Sequence, residues 1–435
     1  MPDLVAARSQ MALSLGWHIV LACYGVGFPL IVVLAEWRAQ RTGDPAYAAL
    51  ARAWARALGV LFAVGAVSGT ILSFELGILW PRFMGRFGEV VGLPFAMEGI
   101  AFFVEAIFVG LYLYGWERLS PRAHLLSGVP IVVAGVASAW FVVTANAWMN
   151  QPTGFRLDAA GRVVDPDPWA ALTNRAMPVQ TTHMILAALM VAGFGVAAVY
   201  AAGWLRGRRD RYHRLGFLLP FTLAAVVTPV QIGVGDWAAR FLAQRQPVKF
   251  ASLEGLQRTE RGAPLTVGGL YYGGGVHFGV RVPRALSVLA HHDPDALVHG
   301  LEEVPPGDRP PVGIVRNAFQ VMVGLGFGLL ALGAWFAVAW RRRREAPASP
   351  WFHRAAVAAG FAAPLALEAG WVVTEVGRQP WIAWKVMRVS DAVTTAPHIR
   401  IGLYGLVAVY ALLTWGTVFV LRRLAAGAPQ EQSEG

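Results

Sequence analysis

The sequence predicts an all-α integral membrane protein with nine transmembrane helices, its N-terminus outside and its C-terminus in the cytoplasm. Composition is the first reason. The 435 residues are 56% hydrophobic and only 14% charged, whereas a soluble chain carries about a quarter charged residues. Spacing is the second. Nine apolar stretches, each long enough to cross a hydrocarbon layer of about 30 Å, run roughly over 15–36, 57–79, 93–115, 125–147, 184–205, 214–235, 315–340, 354–376 and 399–421. Charge placement is the third. Arginines follow every second stretch: Arg38, Arg41, Arg52 and Arg56; Arg118 and Arg122; Arg206, Arg208, Arg209, Arg211 and Arg214; Arg341 to Arg344; Arg422 and Arg423. Basic loops stay in the cytoplasm, which sets the orientation.

The chain divides accordingly. Residues 1–235 carry helices one to six, 236–313 an extracytoplasmic loop, 314–423 helices seven to nine, and 424–435 a polar cytoplasmic tail. The N-terminus has no basic region leading to a small-residue cleavage site, so the first span is expected to be retained. The net charge of +11 is mostly arginine at span ends. It orients helices and gives no reason to expect nucleic acid. The single cysteine, Cys23, excludes an intrachain disulfide, a CxxCH haem attachment and a thiolate cluster. The loop after span six is too long for an inert connector. It mixes Gly-rich (YYGGGVHFG), basic (QRTERG) and Pro-rich (EEVPPGDRPP) pieces, and reads equally as a lid or partner contact and as a binding element.

The polar residues inside the spans carry the chemistry. The stretch ALEAGWVVTEVGRQPW holds Glu368 and Glu375. A carboxylate at the bilayer centre costs about 2.5–3.5 kcal/mol on insertion scales, so such a residue faces the bundle interior and has a partner or a task. Glu375, Arg378 and Trp381 recur every three residues, which predicts an acid, a base and an aromatic near one face of a helix end. Of ten histidines, eight fall in loops or at span ends. His18 and His183 lie early in their spans on the predicted outer side, as does Met322. Each reads either as an interhelical hydrogen-bond or packing residue or as an iron ligand; an imidazole and a thioether together suit a low-spin haem. Glu98 and Glu105, two turns apart on span three, project from nearly one face and can pass protons or stay neutral beside neighbouring helices. Glu75 is a third such acid.

Taken together these residues resemble the large subunit of cytochrome bd-type terminal oxidases. His18 sits in LGWHIVLACYGVGFPL, Glu98 and Glu105 in EGIAFFVE, and His183 follows PVQTT. Asn146 to Met149 read NAWM, Lys249 and Glu254 stand in KFASLE, Met322 in FQVMVG, and Glu375 in EAGWVVTEVGRQPW. The resemblance covers nearly the whole chain. It implies nine helices paired with a second, similar membrane subunit, and a small single-helix accessory subunit. It implies that His183 and Met322 ligate a low-spin haem b. His18 and Glu375 would then serve two high-spin sites, a haem b and a haem d or further haem b, with the assignment between them open. Glu98 and Glu105 would handle protons beside those haems, and Trp371 would assist electron transfer. Lys249 and Glu254 would contact quinol in a loop of the short kind. The implied enzyme is a quinol:oxygen oxidoreductase of the bacterial cytoplasmic membrane. It reduces O2 to water and builds a proton gradient without pumping. Arg378 suits a haem propionate.

Three departures from familiar members stand out. Gln320 stands where they carry an arginine two residues before the axial methionine; loss of that positive charge would lower the haem potential unless compensated. The Glu98–Glu105 segment is one residue shorter, a turn of about 100°. The position before Phe74, an acid in those members, is Ser73. They leave room for a related haem oxidoreductase with another donor or acceptor, and more remotely for a transporter or sensor.

Overall fold

A computed structural model describes residues 2–426. Nine long helices and four short ones are found among them: α1 (Pro2–Thr42), α2 (Pro45–Leu79), α3 (Pro81–Tyr114), α4 (Pro121–Asn150), the short α5 (Pro168–Leu172), α6 (Met177–Leu205), α7 (Arg211–Arg245), the short α8 (Pro247–Glu254) and α9 (Ala285–His291), α10 (Val312–Arg343), α11 (Pro350–Val376), the short α12 (Val389–Ala392) and α13 (Ile399–Ala426). The nine long ones are each apolar and long enough to span a membrane. Their starts follow capping chemistry. Asp44, Ser120 and Asp210 accept hydrogen bonds from backbone N–H groups of the first turn, and a proline opens α2, α3, α4, α6 and α11.

The helices overrun the apolar windows at two places. α7 does not stop at residue 235. The segment DWAARFLAQR contains no glycine or proline and continues the helix to Arg245; Gln246, ahead of Pro247, ends it. α13 runs through Arg422 and Arg423 to Ala426, into the predicted tail. Residues 427–435 of that tail lie outside the described residues.

Two four-helix groups form the body: α1 to α4, and α6, α7, α10 and α11. α1 and α4 pack on α6, and α13 lies against α1 and α2. One continuous core joins the two groups, from Cys23, Trp54 and Tyr112 to Phe194, Phe221 and Phe352, and Trp54 Nε1 donates to Tyr200 Oη across the seam (2.8 Å). The alternation read from the arginines is present in the loops. At one end Gln40 donates to the Pro121 carbonyl, Arg211 pairs with Asp44, and Arg214 with Glu345. At the other end Arg86 donates to the Gly161 carbonyl, in the turn between β1 (Arg156–Leu157) and β2 (Val163–Val164), and Arg388 pairs with Asp308.

The insertion after α7 is folded. It carries three antiparallel strand pairs: β3 (Glu260–Arg261) with β8 (Leu297–Val298), β4 (Leu265–Val267) with β7 (Val280–Val282), and β5 (Leu270–Tyr272) with β6 (Gly275–His277). The Gly-rich piece is the β5–β6 hairpin. Its turn residues Gly273 and Gly274 both have positive φ, which a two-residue turn of this hand requires. Phe250, Leu256, Leu286, Val298 and Leu301 give the insertion its own core.

One histidine assigned to a loop is in the core. His124, 2% exposed, faces Glu36 Oε1 through Nδ1 (2.8 Å) and the Tyr112 carbonyl through Nε2 (2.9 Å), and Tyr112 Oη donates to the other Glu36 oxygen. Both ring nitrogens thus have an oxygen partner on another turn or helix.

Candidate functional site

The polar cluster forms where α11 ends. Gly377 and Pro380 stop the helix at Val376, and the chain turns back on itself. Arg378, 4% exposed, donates from Nη2 to Glu375 Oε2 (2.6 Å), and Asn146 Nδ2 of α4 donates to Glu375 Oε1. Glu375 and Arg378 therefore meet as the spacing predicts. Trp381 does not join them: it opens strand β9 (Trp381–Ala383), where Arg388 lies over its ring at 4.7 Å. The three-residue rhythm fails at the proline, because the helix that would carry it has ended.

A second layer holds this one. Lys249 on α8 donates to Asn150 Oδ1 (3.0 Å) and to the Thr374 carbonyl (2.9 Å). Gln246 Nε2 donates to the Asn150 carbonyl (2.5 Å) and Asn150 Nδ2 to the Asn146 carbonyl (3.0 Å). Neither Asn150 nor Gln246 was singled out from the sequence. The available signal was the four-residue spacing of Asn146 and Asn150, one turn on one helix face.

Lys249 and Glu254 share α8 but not a neighbour. Five residues turn a helix by about 140° beyond a full turn. Lys249 faces α4 and α11, whereas Glu254 faces Arg316 on α10. Both are nearly buried. Burial pulls the Lys249 ammonium down to about 7, helped by the Arg378 charge and opposed by Glu375. Burial also pushes the Glu254 carboxyl up to about 7 against the pull of Arg316. An acid and a base on one short helix are thus both poised to exchange protons near neutrality.

Arg316 also answers the change at Gln320. It is fully buried, one turn before Gln320 on α10, and donates from Nη2 to the Thr266 and Gly268 carbonyls (2.6 and 3.1 Å). Its Nε and Nη1 are buried without partners. Gln320 Oε1 accepts from the Gly268 N–H (2.9 Å), and Asn317 bonds Tyr271. The position that lost its charge holds the insertion in place, and a guanidinium stands one turn away.

The remaining candidates lie on five helices. His18 on α1 meets Ser68 Oγ of α2 through Nδ1 (2.8 Å), and a side chain at Gly69 would lie 3.0 Å from its ring. His183 on α6 has Nδ1 buried without a partner, and its ring lies beside Gly235 of α7. Met322 of α10 sets its sulfur against α11 at Gly370, where a Cβ would fall 3.0 Å from it. Glu368 of α11 points at α1, with one oxygen 3.3 Å from where a Cβ on Gly16 would be. Trp371 is half-buried against the main core. The segment Glu368–Glu375 thus meets α1 at Gly16 through Glu368 and α10 at Met322 through Gly370. On α3, Glu98 accepts from Ser138 Oγ of α4 (3.2 Å), and Glu105, 5% exposed, lies beside Gly25 and Gly135. The shorter segment between the two leaves both acids facing α4.

These donors fit haem iron. The set offers imidazole, thioether and carboxylate, one of the imidazoles with a buried unpartnered nitrogen, and Arg378 keeps Nε and Nη1 buried and unpartnered beside Glu375, ready for an anionic propionate. Among the described residues no three His, Cys, Asp or Glu converge as a bare metal ion would need. A porphyrin supplies most ligands itself.

Comparison with known proteins agrees. Residues 6–429 match the family described as cytochrome bd terminal oxidase subunit I. The chain belongs to this family. The solved bd oxidase of Geobacillus thermodenitrificans matches with a TM-score of 0.91 at 37% identity, covering 98% of this chain and 99% of that one. A Bacillus subtilis (strain 168) protein, provisionally named cytochrome bd menaquinol oxidase subunit I, is 36% identical over 97% of this chain and 96% of its own length. The same organism's cytochrome bd ubiquinol oxidase subunit 1 is 30% identical over 99% and 95%. As a cytochrome bd oxidase subunit I, this chain is a multi-pass membrane protein and the haem-bearing subunit of a quinol oxidase.

Proposed function

We propose that the chain carries electrons from quinol, bound against the insertion, to an oxygen-reducing centre inside the helix bundle. Lys249 and Glu254 are the quinol contacts. Glu254 takes a hydroxyl proton as the quinol is oxidised, and Lys249, held by Asn150 and Thr374, orients the headgroup. His183 and Met322 hold a low-spin haem b. His18 and Glu375 serve the two high-spin haems, of which one is b and the other d or a further b. Haem supplies the one-electron carrier and the oxygen-binding iron when bound. Each Glu375 oxygen retains a lone pair beyond its bond to Asn146 or Arg378, so the carboxylate can ligate while those partners fix its orientation. Trp371 stands between the centres. Glu98 and Glu105 deliver the protons that oxygen reduction consumes.

With the N-terminus outside and the arginine-rich ends in the cytoplasm of a bacterial inner membrane, protons leave quinol on one side and are consumed from the other. That builds a gradient without pumping. A second membrane subunit covers the apolar faces of α2 and α3, where Phe74, Ile78, Phe103 and Ile107 are exposed; a single-helix accessory subunit is a further expectation.

The supporting observation is the Glu375–Arg378–Asn146 network, locked to Lys249 through Asn150. It ties Lys249, through Asn150 and Asn146, to Glu375. A quinol donor is also supported by Arg316, a cation one turn from Gln320 on α10 and beside Glu254. The test is a dithionite-reduced minus air-oxidised spectrum of the purified complex with haem extraction, followed by quinol-driven oxygen uptake. Haem b bands with a far-red band and quinol-dependent uptake are expected; b bands alone assign b to the third site. A complex without haem, or one that consumes no oxygen with quinol, overturns the reading.

A further inference from the structure

Glu75 is a buried acid that the proposed reaction does not use. It lies on α2 and is 5% exposed, with neither carboxyl oxygen hydrogen-bonded. Gln10 and Ser14 of α1 and Tyr410 of α13 lie around it. Gln10 Oε1, Ser14 Oγ and Tyr410 Oη are likewise buried without partners. Five unpartnered polar atoms on three helices thus converge in one place. Buried polar atoms are costly unless partnered, and native proteins satisfy them with one another or with internal water. Trp17, stacked on Tyr410 at 4.7 Å and bonded to Thr414 Oγ1 (2.9 Å), closes the seam between α1 and α13.

The site adjoins His18. Ser14 and His18 are one turn apart on α1, and Ser68 and Glu75 two turns apart on α2, so each pair shares a face. His18 meets Ser68 at 2.8 Å; Ser14 meets Glu75 one turn further along α1. The acid's position is itself a choice. Ser73, two residues before it, is exposed and donates to the Gly69 carbonyl. Position 75 lies about 200° from position 73 around α2, which turns the carboxyl away from the outer surface to the seam with α1 and α13.

We propose that Glu75, Gln10, Ser14 and Tyr410 form a hydrated proton-holding site that takes up and releases one proton as the redox centre beside His18 changes charge. The carboxylate gains a proton from bulk solvent, relayed through water in the site, when an electron from quinol arrives and returns it to solvent by the same route when the electron leaves. Heavy-atom bonds are unchanged, and the charge of the proton offsets that of the electron. Ser14 and Gln10 bond the carboxyl in either state, and Tyr410 Oη donates to it when ionised. The inference rests on the reading of His18 as a haem ligand.

The test is a reduced-minus-oxidised infrared difference spectrum of the whole haem-loaded complex, in H2O and D2O. The parent is expected to show a protonated-carboxyl band that Glu75→Gln abolishes and Glu75→Asp restores at a shifted frequency. A spectrum unchanged in Glu75→Gln overturns the proposal while the haem bands keep the oxidase reading intact. If Glu75→Gln does not assemble, Tyr410→Phe and Ser14→Ala serve instead; both are expected to shift the band, and a band unmoved in both overturns the proposal. A parent complex without haem gives no redox difference spectrum and sinks the oxidase reading itself.

Discussion

Glu375, near the end of α11, and Glu254, at the end of α8, are built differently. Glu375 has both oxygens bonded, one by the Arg378 guanidinium and one by Asn146. Glu254 has an oxygen buried without a partner and its cation, Arg316, acts on it through space. The first arrangement fixes the orientation of a carboxylate. The second leaves a carboxyl balanced between its two forms, as a proton acceptor must be. A carboxylate's job is thus set by its partners: hydrogen bonds to both oxygens fix its geometry, and burial without them makes it exchangeable.

The largest effect tests the fixed charge. Glu375→Ala leaves Arg378 buried and unpaired, which costs on the order of 3–5 kcal/mol. Loss of one high-spin haem and a lower melting temperature are expected; full haem content would show that Glu375 is not a ligand. His183→Ala sharpens the same assignment. It is expected to remove the low-spin signal and keep the high-spin haem, and an unchanged low-spin signal refutes the pairing with Met322.

Next comes the exchangeable acid. Glu254→Gln is expected to keep all haem and to lower quinol turnover about a hundredfold, the scale of a lost general base. Turnover within twofold of the parent would remove Glu254 from the mechanism. The pH profile follows from its position near 7. The ionised form accepts the proton, so turnover should climb as pH rises through about 7. Arg316 pulls that value down, so Arg316→Gln should move the climb to higher pH while Arg316→Lys leaves it close to the parent's. An unmoved profile in Arg316→Gln would assign the limb to another group, Lys249 first, since it titrates over the same range.

The smallest effect concerns the link between the two regions. Asn150→Ala removes one bond to Lys249 and one to Asn146, about 1–3 kcal/mol of local support. A several-fold rise in quinol KM at nearly constant haem content is expected. Equal loss of haem and of quinol affinity would instead mean that Asn150 supports the Glu375 site directly.

Much of the candidate site was legible because it lies within short stretches. EAGWVVTEVGRQPW placed Glu375 and Arg378 three apart, and the contact between them exists. Other parts were illegible because their partners are distant in sequence. Nothing local to Arg316 says that it faces Glu254, 62 positions earlier in the chain, or that Gln320 grips Gly268. His124 sat at a span end by hydropathy, yet its partners are Glu36 and Tyr112 on two other helices. Trp381 was misplaced for a local reason: a periodicity argument holds only while the helix continues, and Gly377 and Pro380 end it.

The sequence by itself determined the nine helices, their alternating loops and the residue types able to hold haem, because hydropathy, capping and arginine placement act over one or two turns of chain. Only the tertiary structure decided which acids are paired and which are not. Whether Glu375 is held, Glu254 poised or Glu75 left among three unpartnered neighbouring groups depends on which helix faces which, and that is set by packing between segments tens to hundreds of residues apart.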